Sequence, residues 1–297
     1  MRIFVAGRHG QLSLALARAL PAAGHELFAL DLPDLDLSHR DSVAAAFRAL
    51  PWRPDLVVNA AAYTAVDRAE EDRDTAFAVN AHGAGWLAEA AAAQGAPFVH
   101  ISTDYVFDGL KGSPYVEEDA PNPLGVYGAS KLEGERAVMA ANPRSVILRT
   151  AWVCSADGNN FVRTMLRLAR EGREEVRVVA DQYGAPTFAT DLAAAVVALA
   201  PRLPAAPEGD SGFGVFHLTG QPHTSWHGFA EAIFAGIAAR GEAVPRLAAI
   251  TTAEYPTKAR RPADGRLDCG RIRVRHGIEA ADWRESLGRC LDELVKA

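Results

Sequence analysis

Ile3-Phe4-Val5-Ala6-Gly7-Arg8-His9-Gly10-Gln11-Leu12-Ser13 is the stretch from which the rest of the sequence is read. Ile3–Ala6 has the pattern of a short buried strand, and a helical pattern begins near Leu12. Gly7 and Gly10 between them let the chain turn sharply and let a pyrophosphate approach the backbone. The helix N-terminus beyond supplies unpaired N–H groups and a favourable dipole. The spacing is G-x-x-G-x-x-S, with Ser13 where a third glycine would pack helix on strand. Serine is small enough for that place. Asp31 closes the next strand, where its carboxylate would accept hydrogen bonds from an adenosine ribose and favour NAD. Arg8, inside the loop, would pair with a 2′-phosphate and favour NADP. Both NADPH and NADH stay open.

Outward from this loop, strand and helix signals alternate. His25–Leu30, Asp55–Asn59, Phe98–Ser102 and Ser145–Leu148 read as strands. Helical stretches run over Leu12–Ala22, Arg40–Leu50, Asp74–Gln94 and Ala129–Ala141. Such alternation implies an α/β fold, a doubly wound parallel sheet of the Rossmann type, with ligands outside the carboxyl ends of the strands. Residues 1–150 are expected to form the dinucleotide-binding domain. Residues 151–297 are expected to be mainly a smaller substrate-binding lobe, with some segments returning to the sheet.

Composition narrows the function. With 49% hydrophobic and 23% charged residues the chain has ample material for a core. No apolar run approaches the ~18 residues that span a bilayer. The start shows no secretory pattern, so a cytoplasmic protein is expected. The three cysteines, Cys154, Cys269 and Cys290, are widely spaced and suggest free thiols. A net charge of −6 argues against nucleic-acid or membrane surfaces as partners. Histidines at 82, 100, 217, 223, 227 and 276 lack metal-ligand spacing, and no G-x-S-x-G elbow marks a hydrolase.

Tyr127 and Lys131 stand four residues apart, on one face of a helix. A phenol is a poor acid at neutral pH, and a nearby ammonium lowers its pKa toward the useful range. The strand ending Ser102-Thr103-Asp104-Tyr105 lies upstream and offers a hydroxyl to a substrate carbonyl. Glycine loop, hydroxyl strand end and Y-x-x-x-K occur in that order.

These residues resemble the extended short-chain dehydrogenase/reductase superfamily, and within it the dTDP-4-dehydrorhamnose reductase family. The resemblance covers nearly the whole length. It rests on Val58–Asp67, Ser102–Gly109, Val126–Gly128 with Lys131, Arg149–Val153, Gly158–Phe161, Asp181–Thr187 and Tyr255–Pro262. It implies Thr103, Tyr127 and Lys131 as the catalytic triad. It also implies cofactor contacts at Gly10, Gln11, Leu12, Asp31, Asp36, Leu37, Ala62, Tyr63 and Thr64, and at Tyr127 and Lys131. Gly7, Arg8, His9, Ala60 and Ala61 complete the expected cofactor set. A dTDP-sugar would meet Thr103, Asp104, Tyr105 and Trp152. The implied reaction is NAD(P)H-dependent reduction of dTDP-4-dehydro-6-deoxy-L-mannose to dTDP-L-rhamnose. The rivals are a related nucleotide-sugar 4-ketoreductase, a nucleotide-sugar epimerase or dehydratase, which would recycle its NAD, and a non-catalytic regulatory subunit of the same fold.

Two departures stand out. Gly125 occupies a place where asparagine is common. Ala15 and Thr190 stand where some relatives carry metal-holding glutamates, so no metal site is expected, and the chain should be a monomer or weak homodimer. Trp152 is read as a ligand contact over a core residue. Arg260 and Arg261 read equally as a diphosphate clamp or a solvated turn. Asn80 is read as hydrogen-bonded core before a support for the lysine.

Overall fold

The computed structural model describes residues 1–295. Its first half runs β1 (Arg2–Ala6), α1 (Gln11–Ala22), β2 (Glu26–Leu30), α2 (Arg40–Arg48), β3 (Leu56–Asn59), α3 (Val66–Ala69) and α4 (Arg73–Phe77). A π-helical segment (Ala78–Gly83) joins α4 to α5 (Ala84–Ala93), followed by β4 (Phe98–Thr103), α6 (Val126–Ala141) and β5 (Ser145–Thr150). Then come β6 (Val153–Cys154), α7 (Phe161–Arg170), β7 (Glu175–Val179), β8 (Tyr183–Gly184), β9 (Thr187–Phe188), α8 (Ala189–Leu199) and β10 (Gly214–His217). The chain closes with β11 (Thr224–Ser225), α9 (Trp226–Ala238), β12 (Arg246–Ile250), α10 (Gly270–His276) and α11 (Trp283–Val295).

Six strands form one sheet in the order β10-β5-β4-β3-β1-β2, every pairing parallel. The chain leaves β1 for β2 on one side and returns to β3 on the other. That reversal opens a crevice at the carboxyl ends of β1 and β3. Register sets the strand ends level: Ala6 pairs with Leu30 and Asn59, Asn59 with His100, and Thr103 with Thr150.

Alternating side chains bury both faces. Ile3, Val5 and Val58 pack with Leu16 and Leu20 of α1 and Leu192 and Val196 of α8. Phe4, Val57 and Phe98 pack on the other face with Val43 of α2, Leu87 of α5 and Val138 of α6. A separate core joins Val162 and Met165 of α7, Phe229 and Ile233 of α9, and Trp283 and Leu287 of α11. Val176 and Val178 of β7, which pairs in parallel with β12, complete it.

Two helices differ from the sequence expectation. The stretch read as one helix over Asp74–Gln94 contains the π-helical turn, and close backbone approaches surround that turn. A Cβ at Gly83 would stand 2.3 Å from the Leu37 carbonyl oxygen, and one at Gly134 of α6 2.1 Å from that of Asn80. Helix α6 starts at Val126, ahead of Ala129, because the Glu70 carboxylate accepts from the Val126 N–H at 2.8 Å. Gly125 leaves room for that cap: a Cβ there would lie 2.5 Å from Glu70 Oε1. The early start puts Tyr127 in the first turn.

Candidate active site

A cleft of about 640 Å³ lies along the carboxyl ends of β1, β3, β4 and β5. Its walls bring together Gly7, His9, Gly10, Gln11, Leu12 and Asp31, then Ala60, Ala61, Ala62 and Thr64, then Thr103, Asp104, Tyr105, Tyr127, Lys131 and Trp152.

The glycine loop is shaped for a ligand at its backbone. Gly7 has φ of 108°, and a Cβ there would meet Ser13 Oγ at 2.8 Å and Ala61 N at 3.2 Å. Such a φ is strained for any side chain. Ser13 thus fills the third-glycine position by packing against Gly7, its Oγ buried and without a partner. Gly10 caps α1 with no side-chain hydrogen bond, and no acidic residue stands in the first turn. The first N–H groups of a three-turn helix therefore face the cleft uncompensated, a fit for an anionic pyrophosphate. Asp31 holds the loop as well as facing the cleft. Its Oδ2 accepts from Arg8 N at 2.8 Å and His9 N at 3.4 Å.

At the other end stands the hydroxyl cluster. Thr103 Oγ1 donates to Asp104 Oδ1 at 3.0 Å and accepts from Tyr105 N at 3.2 Å. Tyr105 and Tyr127 meet edge to face, centroids 5.8 Å apart. Burial, helped by the Asp104 charge and opposed by a hydrogen bond with Thr103, pushes the Tyr127 phenol up to about 12. Burial likewise raises the Asp104 carboxyl to about 7, against hydrogen bonds that favour its charge. Lys131 is buried too, which lowers its ammonium to about 8 despite the Glu135 charge.

At the Tyr127 phenol burial is the largest influence. Lys131 Nζ donates to the Ile101 carbonyl at 2.7 Å. Beneath, Arg149 forms a bidentate pair with Glu135 at 2.9 and 2.7 Å, and Ser102 Oγ donates to the same carboxylate at 2.5 Å. That network fixes the carboxyl end of β4 against α6.

Other expected residues stand outside the cleft wall. Arg8 donates to the Ala29 carbonyl at 2.8 Å and lies 3.8 Å from Asp34. Asp36 is bonded to Ser38 and His39, and Leu37 is core. Tyr63 donates its hydroxyl to Asp72 at 3.1 Å. Its backbone is clamped by Asn80, which also donates to Ser130 at 3.0 Å, so Asn80 ties a loop to α6. Arg261 is paired bidentately with Asp67 at 3.1 and 2.6 Å.

No motif marks Trp226 as a site residue, yet it lines the cleft from the start of α9. Its ring stacks on Trp152 with centroids 3.8 Å apart. Trp152 has φ of 47°, alone among the described non-glycine residues in being positive. A strained bulky residue on a cleft wall points to function. Gly184 backs the same indole, since a Cβ there would come within 2.8 Å of it.

A family profile described as "RmlD substrate binding domain" matches residues 1–296. A dTDP-4-dehydrorhamnose reductase of Sinorhizobium fredii (strain NBRC 101917 / NGR234) is 48% identical over 99% of this chain and 98% of its own. The structure of such a reductase from Clostridium acetobutylicum superposes with a TM-score of 0.91 at 38% identity, covering 99% of this chain and 100% of that one. One from Bacillus anthracis, solved with NADP, gives 0.90 at 34% identity over 98% and 99% of the two chains. With profile, sequence and fold agreeing over almost its whole length, the chain belongs to the dTDP-4-dehydrorhamnose reductase family.

Proposed function

We propose that the chain reduces the C4 ketone of dTDP-4-dehydro-6-deoxy-L-mannose to give dTDP-L-rhamnose, the last step in making that sugar donor. The observation that carries this reading is a single cleft in which the glycine loop meets Thr103, Tyr127 and Lys131. NADPH or NADH, when bound, supplies the hydride that C4 receives. Gly7, Gly10, Gln11 and the α1 N-terminus would hold its pyrophosphate, and Ala60, Ala61, Ala62 and Thr64 would lie along the cofactor.

The residues of the chain handle the proton and the orientation. A phenol held near 12 stays protonated at neutral pH, which suits Tyr127 to donate its proton to the developing C4 alkoxide. Thr103 Oγ1 polarises the same oxygen and gives up its bond to Asp104 when it does so. Asp104, Tyr105 and the Trp152–Trp226 stack form the sugar side of the cleft. Lys131 positions the ribose of the cofactor. Arg261 steadies that wall through Asp67 and reaches the diphosphate only by exchanging that partner.

The same reading assigns residues 1–150 to the dinucleotide and residues 151–297 mainly to the sugar nucleotide, with β10 and α8 serving the sheet. Ala15 is buried and Thr190 brings no carboxylate, which supports a monomer or weak homodimer. Cys154, Cys269 and Cys290 are free thiols, which supports a cytoplasmic setting. No helix among the described residues is long and apolar enough to cross a membrane.

The test is Tyr127→Phe. Turnover should fall by about 10²–10⁴-fold, the usual range for a general acid, while NADPH still binds. Full turnover with intact cofactor binding would refute the assignment.

A further inference from the structure

Behind the cleft a line of polar side chains crosses two strands into α6. Asn59 ends β3, His100 lies on β4 and Lys131 on α6, and all three are almost wholly buried. The Ala61 N–H donates to Asn59 Oδ1 at 3.1 Å, which commits that oxygen. Asn59 Nδ2 is then the atom facing His100 Nδ1 at 3.1 Å, and an amide nitrogen only donates. Nδ1 must accept, so the neutral ring carries its proton on Nε2. A doubly protonated ring would set N–H against N–H at Asn59, and burial also holds the imidazole well below its ordinary range. Nε2 stands 3.4 Å from Lys131 Nζ.

We infer that His100 is a positioning residue for Lys131: its Nε2–H faces the lysine as a donor, bars the ammonium from turning into the sheet, and directs the lysine N–H groups to the Ile101 carbonyl and the cleft. The inference rests on the role given to Lys131 above. Asp104, just beyond the end of β4, shares the cleft wall with Lys131, and the other titratable groups near the lysine are on its own helix. Tyr127 lies one turn earlier, and Glu135 is already held by Arg149 and Ser102. From the sheet, His100 is the titratable side chain that meets the lysine nitrogen, beside the Ile101 carbonyl. A donor facing an ammonium also makes its proton easier to lose, so the imidazole shapes the alkaline side of the pH profile.

Two measurements test this. In ¹⁵N-histidine-labelled protein without cofactor, His100 should show the Nε2–H tautomer. An Nδ1–H tautomer or an imidazolium at neutral pH would overturn the inference. His100→Phe keeps a flat ring against Phe98, which already stacks with it, and removes the donor. Its kcat should fall by about tenfold with little change in sugar KM, as misplacement of a reacting group does. Its alkaline limb should move up by about one pH unit as the ammonium is relieved. His100→Gln, whose amide N–H can face Lys131, should recover most of the rate. Parental kcat and an unmoved limb in His100→Phe would overturn the inference while leaving the reductase reading intact. Full turnover in Lys131→Met would instead remove the role of the lysine, and with it the inference, whatever the tautomer.

Discussion

Tyr127, Asp104 and Lys131 share one buried wall, and burial moves each away from its charged form. The consequences differ in sign. Lys131 is lowered to about 8, so turnover should decline as pH rises through that value, and the limb should vanish in Lys131→Met along with most of the activity. Tyr127, raised to about 12, stays a proton donor across that range. Asp104 is raised from 3.8 to about 7, so between those values the folded protein binds more protons than the unfolded chain. Stability attributable to Asp104 is therefore greatest in acid and lost as pH rises toward 7. Asp104→Asn should flatten that decline in urea unfolding followed from pH 4.5 to 7.5, and an unchanged slope would contradict it. The residue types were legible in the sequence because a Y-x-x-x-K pair and a hydroxyl strand end have few other uses in this order. Their electrostatics were not legible. Spacing says that Lys131 lies one turn from Tyr127, but only the packed sheet shows its nitrogen bonded to Ile101 and faced by His100.

Helix α6 carries the tyrosine and the lysine, and its placement depends on glycines more than on apolar periodicity. Gly134 lets α6 approach the π-helical turn, where a Cβ would come 2.1 Å from the Asn80 carbonyl oxygen. A rigid backbone atom at that distance cannot move aside. Gly134→Ala should lower stability by about 1–3 kcal/mol, the usual cost of overpacking, and depress kcat by displacing Lys131. Parental urea midpoint and rate would show that the two helices are not held as described. The strands and helices of the first half were readable because each is a long, bounded apolar pattern. Beyond residue 150 the signals are weaker for a physical reason. Strands β6, β8, β9 and β11 are two residues each, and β7 finds its partner β12 far along the chain. No local pattern announces such pairings. The π-helical turn is likewise invisible to periodicity, since Ala, Val and His in that segment suit an ordinary helix equally well.

The molecule joins its two cores through Gln11, at the mouth of the glycine loop. Gln11 Oε1 accepts from Ser155 Oγ at 3.0 Å and Asn160 Nδ2 at 2.9 Å, and its Nε2 donates to the Val153 carbonyl at 3.3 Å. Asn160 in turn caps α7 by accepting from Arg163 N at 3.1 Å. The residue that opens the dinucleotide helix thus also holds the segment after Trp152. NADPH and the sugar nucleotide should each tighten the binding of the other in calorimetric titrations, and Gln11→Ala should weaken that coupling, while equal coupling in variant and parent would show that the strut carries none. Purified protein should be supplied with dTDP-4-dehydro-6-deoxy-L-mannose and either NADPH or NADH, with oxidation followed optically and the product identified by NMR. Oxidation should be stoichiometric, with dTDP-L-rhamnose as product. Measurable cofactor binding with no oxidation, or a product epimeric at C4, would contradict it.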